Sequence, residues 1–343
     1  MTRTSDLLTL TPAGLYCPPG DFHIDATRGV PRNLVTHAHS DHARGRHQTV
    51  MATEETLDIM ELRLGPAFCR NRQTIRYGAR IIVGDVRVSF HPAGHILGSA
   101  QIAIERDGFR AIVSGDFKRA ADPTCTPFEV VTCDAYVTEA TFGLPVFAFP
   151  DPDDELARLL ESRAMFPERT HVVGAYALGK AQRVMRMLAV AGYDRPVWYH
   201  ESIAPLAAYY GRRGIDLGDI RPIADASPKA LAGEIVICTP GALKNGWAEQ
   251  FPDPLIATAS GWMNVRARAR QVGVQLPLVI SDHADWPALC ATALDVGASE
   301  LWVTHGETEA LVHWAALQGL DARPLDIIGY GDEDGGPEVE GPA

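Results

Sequence analysis

One run of six residues constrains this chain more than anything else in it. His37-Ala38-His39-Ser40-Asp41-His42 follows directly on Asn33–Thr36, which reads as a short buried strand, so the run is a loop at a strand end. His37 and His39, two residues apart in extended chain, present their imidazoles to the same side and can bind one ion. Asp41 and His42 then turn toward a second ion. Imidazole nitrogens mixed with carboxylate oxygens at this density suit a divalent transition metal, zinc first. The alternative is a polar loop that holds its histidines by chance, and the rest of the chain argues against it.

Four further candidates each close an apolar strand beside Gly or Ser: His95 after Gly94, Asp116 in Ser114-Gly115-Asp116, His283 in Ser281-Asp282-His283, and His305 before Gly306. Any one of them alone would more often be structural. Together they sit where loop residues of α/β enzymes gather to build sites. The remaining histidines, His23, His47, His91, His171, His200 and His313, have no such setting and read as core or surface residues.

Composition narrows the class. With 46% hydrophobic and 22% charged residues over 343 positions, the chain reads as soluble and globular, with room for two domains. No run reaches the ~18 apolar residues that a membrane span needs, so no membrane association is expected. Met1–Leu10 carries no apolar signal core, and the six cysteines form no CxxC pair, which predicts reduced thiols in the cytoplasm. The net charge of −12 counts mildly against a broad non-specific nucleic-acid footprint. Yet Arg28, Arg32, Arg44, Arg46, Arg63, Arg70, Arg72, Arg76 and Arg80 crowd the region of the histidine run. They form either a solvated surface or a phosphate-facing rim, and the spacing does not choose between the two.

The organisation is α/β. Thr53–Gly65 reads as a helix closed by Gly65-Pro66, and Ala100–Glu105 with Phe109–Val113 as a hairpin turned at Asp107-Gly108. Ala135–Thr138 reads as another strand. After Gly143, prolines 145, 150 and 152 mark a break, and helices then alternate with short strands. Leu278–Ser281 and Leu301–Thr304 read as strands, each followed by a helix. The simplest account is an α/β domain in residues 1–143, an inserted α/β module in 144–275, completion of the first domain in 276–330, and an acidic, disordered tail in 331–343.

At this point the motifs resemble a known family. His37–His42, then Gly94-His95, then Ser114-Gly115-Asp116, in this order, resemble the metallo-β-lactamase superfamily. Glu139 in Val137-Thr138-Glu139-Ala140-Thr141-Phe142-Gly143, with His283 and His305, looks like the added signature of its β-CASP nucleases. Ala175–Gln182 and Ser260-Gly261-Trp262 are similar to runs of that branch's cap module. Gly14-Leu15-Tyr16-Cys17-Pro18 and Phe22-His23-Ile24-Asp25 are similar to bacterial ligase-associated DNA exonucleases. The resemblance covers roughly residues 10–330.

It implies a metallo-β-lactamase αββα sandwich with an inserted β-CASP-type cap domain. It further implies a zinc- or manganese-dependent DNA exonuclease of DNA repair that prefers DNA to RNA and associates functionally with a DNA ligase and repair proteins. The alternatives are a β-CASP ribonuclease, for which His305 is the typical last-motif residue, or another hydrolase of the fold. By the same resemblance His37, His39 and His95 would hold one ion, Asp41, His42 and His305 the other, and Asp116 would bridge them. Asp25 would orient a ligating histidine. Glu139 would support His283, the candidate general acid. Asp116 and Asp41 would take part in catalysis as ligands, and Ser260 and Lys180 would contact phosphate.

Overall fold

Segments such as Val86-Arg87-Val88-Ser89-Phe90 alternate apolar and polar residues, and in extended chain such a pattern sends them to opposite faces of a sheet. The computed structural model describes residues 4–271 and 273–325; the expected acidic tail, 331–343, lies outside them. The chain divides into two compact units. Among the described residues, one joins those up to Ala148 with those from His283 to Leu325, and the other runs from Phe149 to Asp282.

In the first unit, six strands make one sheet in chain order, Thr9–Thr11, Gly14–Cys17, Phe22–Ile24, Arg32–Leu34, His47–Ala52 and Cys69–Thr74. A second sheet of seven strands has the spatial order Asp321–Pro324, Glu300–Gly306, Ala135–Ala140, Phe109–Val113, Ala100–Arg106, Val86–Pro92, Arg80–Val83. Its centre is parallel, with Ala135 opposite both Ala111 and Glu300. Leu15, Phe22, Ile24, Leu34 and Met51 from the first sheet share one buried core with Val88, Phe90, Ile102, Ile104, Val137 and Trp302 from the second. The alternate residues of the second sheet, Ala103, Ile112, Tyr136, Leu301 and Val303, pack with Leu289, Ala293, Leu311 and Ala315 from the helices Trp286–Asp295 and Thr308–Leu317. The helix Glu54–Leu64 covers the first sheet, burying Leu57, Ile59 and Met60. The layers are therefore helix, sheet, sheet, helix, the expected αββα sandwich. The turn at Asp107-Gly108 joins the hairpin as expected, with Asp107 in the left-handed region.

Parallel strands covered on both faces read as unbroken apolar runs, and the second unit is built on two of them. His171–Gly174 and Ile235–Cys238 are buried along their whole length and pair in parallel at the centre of a six-stranded sheet. The spatial order is Ile220–Pro222, Val197–Tyr199, Ile235–Cys238, His171–Gly174, Leu255–Ala259, Leu276–Leu278. Leu276–Leu278 pairs with Leu255–Ala259, so this unit keeps the chain to Asp282, beyond the expected return at 276. Of the expected strand Leu278–Ser281, only Leu278 lies in a strand. Beyond it the Val279 N–H donates to the buried Glu155 carboxylate at 2.7 Å and Ser281 O accepts from Arg183. Side chains thus take over the backbone pairing that a strand would supply. Among the described residues no helix is long and apolar enough to cross a membrane.

Candidate metal centre

Strand ends deliver the histidine run to the rim of the sandwich. After Leu34 the chain stays extended for a residue, with Val35 N–H donating to Met51 O at 3.0 Å, and then turns. The hydrogen bond from Ala43 N–H to His39 O at 2.8 Å closes the loop. His37, His39, His95 and Asp116 come together there, all buried, with one ligand atom of each within 4.8 Å of the others. Asp41, His42 and His305 form a second such group.

Asp116 relates the two. Its Oδ2 lies 3.4 Å from His37 Nε2 and 3.8 Å from His95 Nε2, while its Oδ1 lies 3.4 Å from His42 Nε2. Asp41 Oδ2 is 3.5 Å from His42 Nε2 and 3.8 Å from His305 Nε2.

The hydrogen bonds behind the imidazoles set which nitrogen faces inward. Asp25, buried, accepts from Thr36 N–H at 2.8 Å, from the Thr36 hydroxyl at 2.6 Å and from His42 Nδ1 at 2.8 Å. Because the Thr36 hydroxyl donates to Asp25, its oxygen is left to accept from His37 Nδ1 at 3.1 Å. In their neutral forms both rings then turn an unprotonated Nε2 inward, which is how an outer carboxylate prepares an imidazole for metal. His37 Nε2 is buried and has no hydrogen-bond partner.

The electrostatics agree. Burial, with His42 next to it, holds His37 well below the usual imidazole range. His42 is pushed well above that range, since Asp116 and Asp41 outweigh the burial that opposes its charge. Burial also opposes the charge on Asp116, yet His42, His305 and His37 hold it well below the usual carboxylate range. The neutral, orphaned His37 nitrogen and the ionised Asp116 carboxylate, with a charged His42 whose inward proton a cation would replace, are a donor set that fits divalent cations.

Two left-handed non-glycine residues lie here. Asp25 and His305 have φ of 47° and 60°, a region that non-glycine residues rarely adopt. Glu139 sits in a register irregularity between Thr138 and Ala140, opposite the end of the His305 strand; bulges of this kind re-aim side chains beside sites. Gly115 has φ 57°, and a Cβ there would lie 2.6 Å from Thr36 Cβ, so glycine lets the Asp116 loop close on the Asp25–Thr36 pair.

His283 stands beside the cluster. Its Nδ1 is 2.9 Å from Glu139 Oε2 and 3.9 Å from Asp116 Oδ2. Glu139 also accepts from Phe117 N–H at 2.7 Å and the Thr141 hydroxyl at 2.6 Å, so three donors converge on one buried carboxylate.

Two of the expected site residues lie outside the first unit. Ser260 and Lys180 belong to the second unit. Ser260 caps a short turn by accepting from Trp262 N–H. Lys180 is buried, 3.0 Å from the Asp282 carboxylate and 5.0 Å from the centre of the Tyr176 ring, so its charge is engaged inside its own unit. Of the crowded arginines, Arg32 donates to Gly20 O, Arg63 to Ala38 O, and Arg72 pairs with Asp58 and Glu61. Thr36, Thr141 and Arg63 are the working residues that sequence reasoning missed. A lone hydroxyl or arginine that supports a ligand has no spacing signature.

No family model matches the chain. It is 29% identical over 321 residues to a protein of Opitutus terrae named "Probable DNA ligase", covering 90% of this chain and 30% of that one. It is 26% identical over 231 residues to an "RNase J-like protein" of Methanocaldococcus jannaschii, covering 59% of this chain and 54% of that one. Over 143 residues it is 31% identical to "Endoribonuclease ysh1" of Aspergillus fumigatus, covering 40% of this chain and 16% of that protein. The chain thus spans 30% and 54% of the lengths of the first two relatives. A crystal structure of a protein of unknown function from Enterococcus faecalis superposes with a TM-score of 0.54 at 14% identity, covering 79% of this chain and 74% of that one, a likeness of fold alone.

Proposed function

We propose, on the premise that the chain is a homologue of the metallo-β-lactamase-fold β-CASP proteins, that it is a two-metal phosphodiesterase degrading DNA from an end. The observation that carries the reading is Asp116, whose two carboxylate oxygens face two separate groups of imidazoles, all buried but the half-buried His305. In this reading His37, His39 and His95 would hold one ion and Asp41, His42 and His305 the other, with Asp116 shared between the two groups.

When bound, two divalent ions, zinc or manganese, supply Lewis-acid chemistry that activates water and offsets charge on the phosphoryl oxygens. The chain's own residues do the rest. Asp25 and Thr36 keep His37 and His42 in the tautomers that face the site. Glu139 holds His283 by Nδ1, which leaves Nε2 to protonate the sugar oxygen as its bond to phosphorus breaks. The water oxygen forms the new bond to phosphorus, so one phosphodiester gives one phosphomonoester and one hydroxyl.

DNA is favoured because the alignment that spans most of the chain is to a protein named as a DNA ligase. The name of the same relative supports a functional association with a DNA ligase. The names of the RNase J-like and endoribonuclease relatives favour RNA as the second reading. The test compares linear and circular single strands of both polymers, in one buffer with one metal. Mononucleotides from linear DNA, persistence of circular DNA and slower cutting of RNA are expected. Rapid cutting of the circle would remove the end requirement, and faster RNA hydrolysis would transfer the function to RNA.

A further inference from the structure

We propose that the helix Glu54–Leu64 is a clamp for the three-histidine half of the site, with Thr53, Thr56 and Arg63 as its positioning residues. The inference rests on reading His37, His39 and His95 as the ligands of one ion.

Those imidazoles come from two sheets. His37 and His39 lie in the loop that leaves the first sheet after Leu34, and His95 lies between two strands of the second sheet, Val86–Pro92 and Ala100–Arg106. A ligand set divided in this way is only as well defined as the separation of the two loops, and productive sites need that held to ~0.5 Å. The helix reaches both. At its start the hydroxyls of Thr53 and Thr56 lie 2.7 and 3.0 Å from the Gly98 carbonyl oxygen. Gly98 has φ 85°, and a Cβ there would lie 2.6 Å from Glu55 Cβ and 2.8 Å from Thr56 N, so the loop sits directly on the first turn. That loop is itself tied, since Ser99 Oγ accepts from His95 N–H at 3.1 Å and Ile96 N–H at 3.2 Å. Fixing Gly98 therefore fixes His95.

Near the other end Arg63 donates to the carbonyl of Ala38, the residue between His37 and His39. The two attachments are separated by about 10 Å of helix, seven residues at 1.5 Å each. The helix is anchored by Leu57, Ile59 and Met60 and capped by Thr53, which accepts from Thr56 N–H. The other group is held differently, His42 being braced by Asp25.

The test is zinc affinity, measured by competition with a chromophoric chelator. The variants are Thr56→Val, Arg63→Met and their combination, all of which leave the Thr53 cap in place. Outer supports of metal ligands typically contribute 10–100-fold in affinity. The double variant is expected to weaken one of two zinc ions by about that factor and leave the other within about threefold. Adding Asp25→Asn should then weaken the second ion as well, and Thr56→Ser with Arg63→Lys should restore the first. Melting of the chelator-treated double variant should match the parent, which separates positioning from loss of fold. Equal weakening of both ions, or unchanged affinities in a parent that takes up two, would overturn the clamp alone. A parent that takes up no zinc would overturn the metal reading and the clamp together.

Discussion

Replacing Glu139 by glutamine tests the support of His283 with almost no change in shape. The carboxylate accepts from Phe117 N–H, the Thr141 hydroxyl and His283 Nδ1 at 2.7, 2.6 and 2.9 Å. Glutamine has a single acceptor oxygen. If that oxygen keeps Phe117 N–H, its amide nitrogen, a donor, faces Thr141 and His283. The threonine hydroxyl can rotate to accept, but Nδ1–H cannot, so the imidazole must change tautomer or turn away. A charge-assisted hydrogen bond of this kind is worth about 1.5–3 kcal/mol, and that energy corresponds to about a 10- to 150-fold loss of rate. Glu139 binds the Asp116 loop through Phe117 N–H, a bond the glutamine oxygen keeps, so metal content should be unchanged. The assay is kcat on end-labelled DNA, with zinc measured on the same preparation. A rate within about threefold of the parent at equal zinc content, or a fall in zinc, would refute the assignment of Glu139 to His283.

Three further outcomes follow from the geometry. Asp116→Ala removes the oxygens that face both imidazole groups, so elemental analysis should find fewer than about two ions per chain and hydrolysis should vanish; full metal content would contradict the bridging role. Gly115→Ala puts a methyl 2.6 Å from Thr36 Cβ at a φ of 57° and should cost about 1–2 kcal/mol from backbone handedness alone, read as a lowered urea midpoint; an unchanged midpoint would refute the packing argument. His171, buried against Ser162 and the Arg169 carbonyl, is held below its ordinary value of 6.5, mainly by burial. The folded state therefore binds its proton less readily than the unfolded chain. Its contribution is full above pH 6.5 and declines as pH falls toward the lower folded value. His171→Gln should flatten that decline in unfolding experiments between about pH 7.5 and 5.5, and parallel curves would exclude His171 as its source.

What the sequence revealed and what it concealed follow from the range of each interaction. The histidine run was legible because imidazoles and a carboxylate packed into six residues have few other uses, and His95, Asp116 and His305 because each ends an apolar strand, whereas the run before His283 only read as one. The helix after Thr53 and the turn at Asp107-Gly108 carry local signals that need no tertiary context. Lys180 illustrates the opposite case. A lysine at the start of a helix invites a phosphate, yet its partner is Asp282, a hundred positions away in the chain, and no local rule pairs them. Leu278–Ser281 has the apolar character of a strand, but the buried Glu155 captures the Val279 amide. The second unit accordingly ends later than the proline and strand signals suggested. The left-handed backbone at Asp25 and His305 was also hidden, since aspartate and histidine do not advertise that conformation as glycine does.

The pairing of Ala135–Ala140 with Glu300–Gly306 gives the site a built-in order of assembly. Closing a segment of roughly 165 residues costs about 2.5 kcal/mol more chain entropy than closing one of ten, and during synthesis it must wait until both strands have left the ribosome. His37, His39, His95 and Asp116 are all made before residue 120, whereas the second group has to wait for His305. A nascent or truncated chain that stops anywhere between these points holds six of the seven residues of the two groups and lacks His305, and His283 as well if it stops before residue 283. On the proposed reading, a product that ends before residue 305 is left with its second group unfinished, by where one histidine falls in the order of translation.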